Sequence, residues 1–93
     1  MDVEYEWDEA KRIKNKKKHG MDFADAGEFD WECALEIFGD VDDNGEERWL
    51  AVGFIGLSLS VLVYVERGLT VRIISLRKAT KNEERLYAEN TPY

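Results

Sequence analysis

Apolar and polar residues alternate most clearly in the C-terminal half of the chain. Three segments, 48–55, 58–66 and 70–76, are rich in valine, leucine and isoleucine. The pairs Gly56-Leu57 and Arg67-Gly68 separate them, and such glycine-containing pairs are typical of tight turns between strands. The pattern therefore predicts a meander of three antiparallel strands.

The N-terminal half predicts a short strand followed by a helix. Residues 3–7 alternate between apolar and acidic side chains, as in an edge strand. Asp8 is a good helix N-cap and Gly20 a typical stop, which predicts a helix over 9–19. The other predicted elements are a second helix after Asp22, a weakly patterned strand over 31–38, an acidic turn over 39–46 and a last helix over 81–89 opened by a Thr80/Glu83 capping box.

This order of elements predicts an α+β fold. The 93 residues are enough for a single domain, residues 1–93, and leave no room for a second core. We expect one antiparallel sheet of about four to five strands, with two N-terminal helices and one C-terminal helix packed on it.

The net charge of −7 argues against a nucleic-acid partner, but the charges are segregated along the chain. Six of the 13 basic residues lie between Lys11 and Lys18, and six more lie between Arg67 and Arg85. Residues 22–47 hold 11 acidic residues and no basic one. Because phosphate binding depends on local charge, a basic face can coexist with an acidic total.

Several classes of function lack their sequence signals. Cys33 allows no intramolecular disulfide, and with the single His19 it does not make a zinc site. It is interpreted as a small apolar filler or, alternatively, as a reactive thiol. The acidic residues in 40–47 lack the EF-hand spacing, which favours a solvated turn over a calcium site. No phosphate-binding glycine loop is present, so no cofactor is expected.

Export and membrane signals are also missing. Residues 1–6 are acidic and contain no apolar run of the kind found in a signal peptide. The longest apolar stretch, 50–65, is interrupted by glycine and serine and is too short for a spanning helix. A cytoplasmic protein without membrane contact is therefore expected, in keeping with the single cysteine.

Basic side chains are the main candidates for chemistry. RNA can be cleaved without metal or cofactor when its ribose 2′-hydroxyl attacks the neighbouring phosphate. One group must take a proton, another must supply one, and cations must stabilise the charge on phosphate. The residues that offer such groups are Lys18, His19, Arg48, Arg67, Arg72, Arg77 and Lys78. Alternatively, the arginines are salt-bridged surface and His19 is the C-terminal cap of its helix.

Strand phase restricts which of these side chains can meet. In a regular last strand, Arg72 and Lys78 share one face and Arg77 points to the other. Arg72 and Arg77 can reach one phosphate only if the strand ends or bulges near Leu76. The favoured group is therefore Arg72, Lys78 and either Lys18 or His19.

Five short motifs, spread over nearly the whole chain, share one resemblance. They are Tyr5-Glu6-Trp7-Asp8-Glu9-Ala10-Lys11 with Lys18-His19-Gly20, Phe23-Ala24-Asp25-Ala26, Gly45-Glu46-Glu47-Arg48-Trp49, Tyr64-Val65-Glu66-Arg67-Gly68, and Arg72-Ile73-Ile74-Ser75-Leu76-Arg77-Lys78-Ala79-Thr80. In this order they resemble the BrnT family of ribonuclease toxins, which are the toxin halves of type II toxin–antitoxin pairs.

The resemblance implies a RelE-like fold and an endoribonuclease of the mRNA interferase type that inhibits translation and growth. It implies a BrnA-like antitoxin partner that binds DNA and represses the shared operon. The catalytic candidates that it implies are Lys18, His19, Glu66, Arg72, Arg77 and Lys78. The RNA-binding candidates are Lys14, Lys17, Arg48 and Arg67.

The acidic total keeps two other interpretations open. One is a BrnT-like binding module that is catalytically weak or inactive and acts only as an antitoxin partner. The acidic stretch from Asp22 to Glu47 would suit a basic antitoxin. The other is an unrelated domain whose motif matches are accidental.

Overall fold

Five strands and three helices make up the chain in a computed structural model that describes residues 3–90. The first two residues of the acidic N-terminal segment lie outside that range. The elements are β1 (Glu4–Glu6), α1 (Glu9–His19), a 3₁₀ helix (Phe23–Glu28), β2 (Leu35–Val41), β3 (Glu47–Ile55), β4 (Ser58–Arg67), β5 (Thr70–Lys78) and α2 (Lys81–Asn90).

The strands form one sheet in the order β1-β5-β4-β3-β2. The predicted antiparallel meander over β3, β4 and β5 is confirmed. The expectation of a wholly antiparallel sheet is wrong in one detail, because β1 pairs parallel to β5. Parallel pairing needs a long connection between the two strands, and here the elements from α1 to β4 provide it between β1 and β5.

Two predicted elements differ from the structure. The second helix is a 3₁₀ helix, capped by the Asp22 side chain, which accepts from the Ala24 N–H. The strand predicted over 31–38 begins only at Leu35, because Trp31 turns inward and its indole N–H donates to the Tyr5 hydroxyl at 2.7 Å. That strand also continues through the predicted turn as far as Val41, by means of a bulge at Gly39.

The two faces of the sheet have different covers. One face is covered by the 3₁₀ helix, and we call it the 3₁₀ face. It carries the main core, in which Phe23, Leu62 and Tyr64 are almost completely buried. The α2 face is the opposite side, where Phe54 of β3 meets Tyr87 of α2 edge to face at 5.7 Å. The capping box predicted for α2 is confirmed, since the Glu83 N–H donates to Thr80 Oγ1 and the Thr80 N–H donates to Glu83 Oε1.

Asn15 fixes α1 against the sheet. Because β1 ends at Glu6, opposite Arg72, β5 has no neighbouring strand on its β1 side beyond that point, although it stays paired with β4 on the other side. The buried Asn15 side chain takes the place of one: Nδ2 donates to the Leu76 carbonyl at 2.7 Å, and Oδ1 accepts from the Leu76 N–H at 3.2 Å. The same Nδ2 donates to the Met21 carbonyl at 3.0 Å, which also holds the chain beyond α1. The position of α1 over β5 is therefore set by hydrogen bonds as well as by packing.

Candidate active site

A bulge in β5 decides which basic side chains share a face. Val63 lies opposite Ser75 and Tyr64 lies opposite Ile73, so Ile74 is an extra residue in β5. The bulge reverses the alternation of side chains beyond it. Arg72 therefore shares a face with Arg77, each opposite an odd-numbered residue of β4.

The predicted group of Arg72 with Lys78 is wrong for this reason. Lys78 lies opposite Ser60 and belongs to the 3₁₀ face, whereas Arg72 and Arg77 belong to the α2 face. Glu66 also lies on the 3₁₀ face, because it pairs with Val71. Glu66 and Lys78 are six β4 positions apart, or about 20 Å at the usual rise of a strand, so they do not reach each other.

Arg72 and Arg67 share one carboxylate at the start of the sheet. Arg72 Nη1 donates to Glu6 Oε2 at 2.7 Å, and Arg67 Nη1 lies 3.9 Å from the same oxygen. Arg67 also binds Glu46 through two hydrogen bonds of 3.0 and 2.8 Å, and these raise the pKa of its guanidinium. Both arginines are thus neutralised in the absence of a ligand, and Glu6 stands between them.

The two other candidate arginines are also paired. Arg48 binds Asp40 through two hydrogen bonds of 2.7 Å, which hold the pKa of that carboxyl below its usual value. Arg77 binds Glu83 at 2.7 and 2.9 Å, and this pair lowers the pKa of Glu83 to about 2. Arg77 thereby ties the end of β5 to the first turn of α2.

Four lysines of α1 lack such partners. Within residues 3–90, Lys11, Lys14, Lys17 and Lys18 make no ion pair. Three of them line a groove of about 260 Å³ between α1 and the bulge of β5, and Lys17 is exposed outside it. The lining residues are Lys11, Lys14, Asn15, Lys18, His19, Ile74 and Ser75.

His19 is the last residue of α1 and one wall of this groove. The backbone cap of the helix is Gly20, in the left-handed conformation, whose N–H donates to the Lys16 carbonyl at 2.8 Å. The half-buried His19 ring makes no hydrogen bond to another described residue. The capping hydrogen bond that was the alternative role of His19 is therefore made by its neighbour.

The groove meets β5 between the two arginines of the α2 face. Ile74 and Ser75 lie two or three positions from both Arg72 and Arg77, which is about 7–10 Å along a strand. We call the groove with these two arginines the cleavage groove. Its lining offers one imidazole and three unpaired lysines. The two arginines flank that lining along β5, and a phosphate could replace their carboxylate partners.

Sequence reasoning missed three residues that shape this region. Asn15 gave a signal, since it interrupts a run of lysines in α1, but the strand edge that it binds is set by tertiary structure. Glu6 looked like an exposed position on an edge strand, and its two arginine partners depend on the parallel pairing of β1. Ser75 lines the groove because of the bulge in β5, and no residue type in the sequence predicts that bulge.

Other kinds of site have little support in the described part of the chain. Residues 3–90 contain no group of three or more histidine, cysteine or carboxylate side chains that could hold a metal ion. The acidic turn is closed by Asp42, whose Oδ1 accepts from the backbone N–H groups of Asn44 and Glu46, both at 2.9 Å. No helix within that range is long and apolar enough to cross a membrane.

Comparison with known proteins relates the chain to one family and to a solved structure. Residues 7–83 match the family described as the ribonuclease toxin BrnT of type II toxin–antitoxin systems. Among solved structures, the ribonuclease toxin BrnT of Brucella abortus is similar, with 30% sequence identity and a TM-score of 0.63. The similarity covers 85% of this chain and 99% of that one. No curated protein matches the chain.

Proposed function

Because the chain belongs to the BrnT family of type II toxin–antitoxin ribonuclease toxins, we propose that it cleaves messenger RNA at the cleavage groove and so inhibits translation. One observation carries the choice of site. The unpaired lysines and the histidine of α1 lie over the β5 bulge, which brings Arg72 and Arg77 to one face.

The proposed reaction is a metal-independent transesterification. The 2′-hydroxyl of a ribose loses its proton and attacks the neighbouring phosphorus, and the 5′-oxygen of the next nucleotide leaves and takes up a proton. The products are a 2′,3′-cyclic phosphate and a 5′-hydroxyl. We assign one of these two proton transfers to His19, because an imidazole is the side chain that both gives and takes protons near neutral pH.

The cationic residues of the groove hold the phosphate and stabilise its charge. Lys14 and Lys18 make no ion pair among the described residues, so a phosphate meets them without displacing a protein carboxylate. Arg72 and Arg77 present guanidinium groups that are already held in position by Glu6 and Glu83. When RNA binds, these groups release the carboxylates and donate hydrogen bonds to phosphate oxygens. Lys17, Arg48 and Arg67 bind RNA farther from the reacting bond. Glu66 and Lys78 are left out of the catalytic group because they lie on the other face.

An antitoxin partner follows from the family, which is one half of a type II pair. We propose a BrnA-like protein that neutralises the toxin by binding and that contacts operator DNA itself. Indirect DNA contact through this partner suits the acidic chain, because the toxin then needs no DNA-binding surface of its own.

Growth after induced expression tests the proposed activity. We expect the wild-type chain to arrest growth, and His19→Ala to lose at least about 100-fold in the rate of RNA cleavage by the purified protein, because general acid–base groups contribute that much. The rate is measured in the presence of a chelator to remove divalent metal. Arrest by His19→Ala, or cleavage abolished by the chelator alone, would contradict the proposed mechanism.

The second candidate function is a catalytically inactive binding module. It is favoured by the neutralisation of Arg48, Arg67, Arg72 and Arg77 by carboxylates. This alternative predicts normal growth and no RNA cleavage by soluble wild-type protein, with antitoxin binding intact.

A further inference from the structure

An aromatic surface lies open at the β2 edge of the sheet, far from the cleavage groove. Phe38 is 48% exposed and Val41 is 54% exposed, although both lie in a strand. The Phe38 ring meets Trp49 of β3 edge to face at 5.3 Å. Exposed apolar patches on small proteins often mark interaction sites, so this edge is a candidate docking surface.

Two cavities extend this surface along the 3₁₀ face. One, of about 320 Å³, is lined by Glu46, Glu47, Trp49, Val65 and Glu66. The other, of about 280 Å³, is lined by Val3, Trp31, Glu36, Tyr64, Glu66 and Val71. We call the two cavities, which share Glu66, together with Phe38 the aromatic–acidic groove. None of the described residues that line it is basic.

Glu36 and the aromatic rings of this groove are held in place by hydrogen bonds and ring contacts. The buried Tyr64 hydroxyl donates to Glu36 Oε1 at 2.6 Å, and burial raises the pKa of that phenol, so it stays a donor at neutral pH. The Trp31 ring is fixed by its bond to Tyr5 and by an edge contact with Tyr64 at 5.3 Å. Such a fixed site loses little conformational entropy when a ligand enters.

We propose that the aromatic–acidic groove binds an arginine-bearing basic segment of the antitoxin. A guanidinium can form two hydrogen bonds with a carboxylate while its flat face stacks on an indole, and this groove offers Glu36, Glu47 and Glu66 beside two tryptophans. The identity of the partner rests on the proposed function. The chemistry of recognition rests on the groove itself.

Two other occupants fit the groove less well. RNA is disfavoured, because its phosphates would face the carboxylates of Glu36, Glu47 and Glu66, none of which makes an ion pair with another described residue. A second copy of this chain would have to insert its basic helix α1, and that head-to-tail contact generates rings or open fibres instead of a defined toxin–antitoxin complex. A basic segment of a different protein meets neither objection.

Titration of the isotope-labelled full chain with a tetra-arginine peptide tests this proposal by NMR. We expect saturable shifts of the Trp31 and Trp49 indole N–H signals. Trp7 is the internal reference, because its ring packs on Phe23 and it lines neither cavity. The same peptide made with citrulline in place of arginine should cause no shift, since it lacks the charge.

A pair of charge-matched double variants separates the groove from net charge. Glu36→Gln with Glu47→Gln should weaken peptide binding about tenfold, because each substitution removes a carboxylate that could form two hydrogen bonds with a guanidinium beside an aromatic ring. Glu84→Gln with Glu89→Gln removes the same charge from exposed positions of α2 and should change binding less than about twofold. The groove double variant should cleave RNA at the wild-type rate.

Several results would overturn the inference. These are equal weakening by both double variants, indole signals that do not move, or indole shifts caused by RNA. Shifts that depend on protein concentration without peptide would assign the groove to a second copy and overturn it as well. A chain that fails to cleave RNA but binds the peptide as described would contradict the proposed function and leave the groove assignment standing.

Discussion

Glu6 shows how a single carboxylate can control the candidate site. It accepts a hydrogen bond from Arg72 at 2.7 Å and lies within ion-pair distance of Arg67. A phosphate that enters the cleavage groove competes with Glu6 for the Arg72 guanidinium. At the proposed site, the strength of RNA binding should therefore depend on an acidic residue as well as on the basic ones.

Removal of this competitor should strengthen RNA binding. We expect Glu6→Gln to bind a 2′-deoxy analogue of the RNA, which lacks the attacking hydroxyl, about threefold more tightly, since the partly exposed ion pairs of Glu6 with Arg72 and Arg67 are lost. Fluorescence anisotropy measures the affinity. Glu4→Gln is the matched control, because Glu4 is exposed on the same strand and makes no ion pair with a described residue. Equal affinities for wild type and Glu6→Gln would remove Arg72 from the RNA site.

Arg77 has a second role, which predicts a dependence of stability on pH. The pair with Arg77 lowers the pKa of Glu83 from 4.5 to about 2 in the folded chain. A lowered folded-state pKa stabilises the fold above the unfolded pKa, and the contribution disappears as the pH falls through the folded pKa. The contribution of Glu83 should thus be complete above pH 4.5 and lost progressively towards pH 2.

Urea denaturation of Glu83→Gln measures this contribution. The variant should lose about 1–2 kcal/mol of unfolding free energy at neutral pH, after allowance for solvent around a partly exposed pair, and almost nothing near the folded pKa. Glu84→Gln, at an exposed neighbouring position, should match the wild type at both values of pH. A loss that is the same in acid and at neutrality would show that the pair with Arg77 is not its cause.

At the scale of elements, the position of α1 over β5 depends on Asn15. Loss of its side chain leaves the Leu76 N–H and carbonyl without their partner at the edge of the sheet. Asn15→Ala should lower the unfolding free energy by about 2 kcal/mol, because each buried unsatisfied group costs about 1–3 kcal/mol. Asn82→Ala, at an exposed position of α2, should stay within about 0.5 kcal/mol of the wild type. Equal stabilities of the two variants would contradict this role of Asn15.

The elements also show where sequence reasoning succeeds. The meander from β3 to β5 was predictable because two-residue turns and a regular apolar alternation specify hairpins locally. Helix α1 was predictable from Asp8 and Gly20, whose capping contacts are present in the structure. Both predictions rest on signals within a few residues of the element concerned.

The bulge at Ile74 could not be predicted from such local signals. A bulge is selected by the packing of the whole strand, here by the need to bury both Ile73 and Leu76 on the 3₁₀ face. Because one inserted residue exchanges the two faces, the face predicted for each candidate side chain beyond the bulge was wrong relative to Arg72. Arg77 joined the face of Arg72, and Lys78 left it.

At the scale of the whole molecule, the net charge of −7 divides into two surfaces of opposite character. The cleavage groove at the β5 edge holds unpaired lysines. The aromatic–acidic groove, which extends from the β2 edge across the sheet to Val71 of β5, holds carboxylates. An acidic total charge is therefore compatible with the RNA site proposed for the first surface and with the basic antitoxin segment proposed for the second. The total charge misrepresents both surfaces, whereas the order of charged segments along the sequence indicated the division.

The central claim is that the cleavage groove is where RNA is cut. The most direct test compares the rate of RNA cleavage by Lys14→Ala with Lys18→Ala and by Lys81→Ala with Arg85→Ala. Each double variant removes two positive charges, and the second pair lies at exposed positions of α2. We predict a loss of at least about 100-fold for the groove variant, because it removes stabilisation of the charged transition state, and less than about threefold for the control. Equal rates for the two variants would show that RNA is cut elsewhere on the molecule.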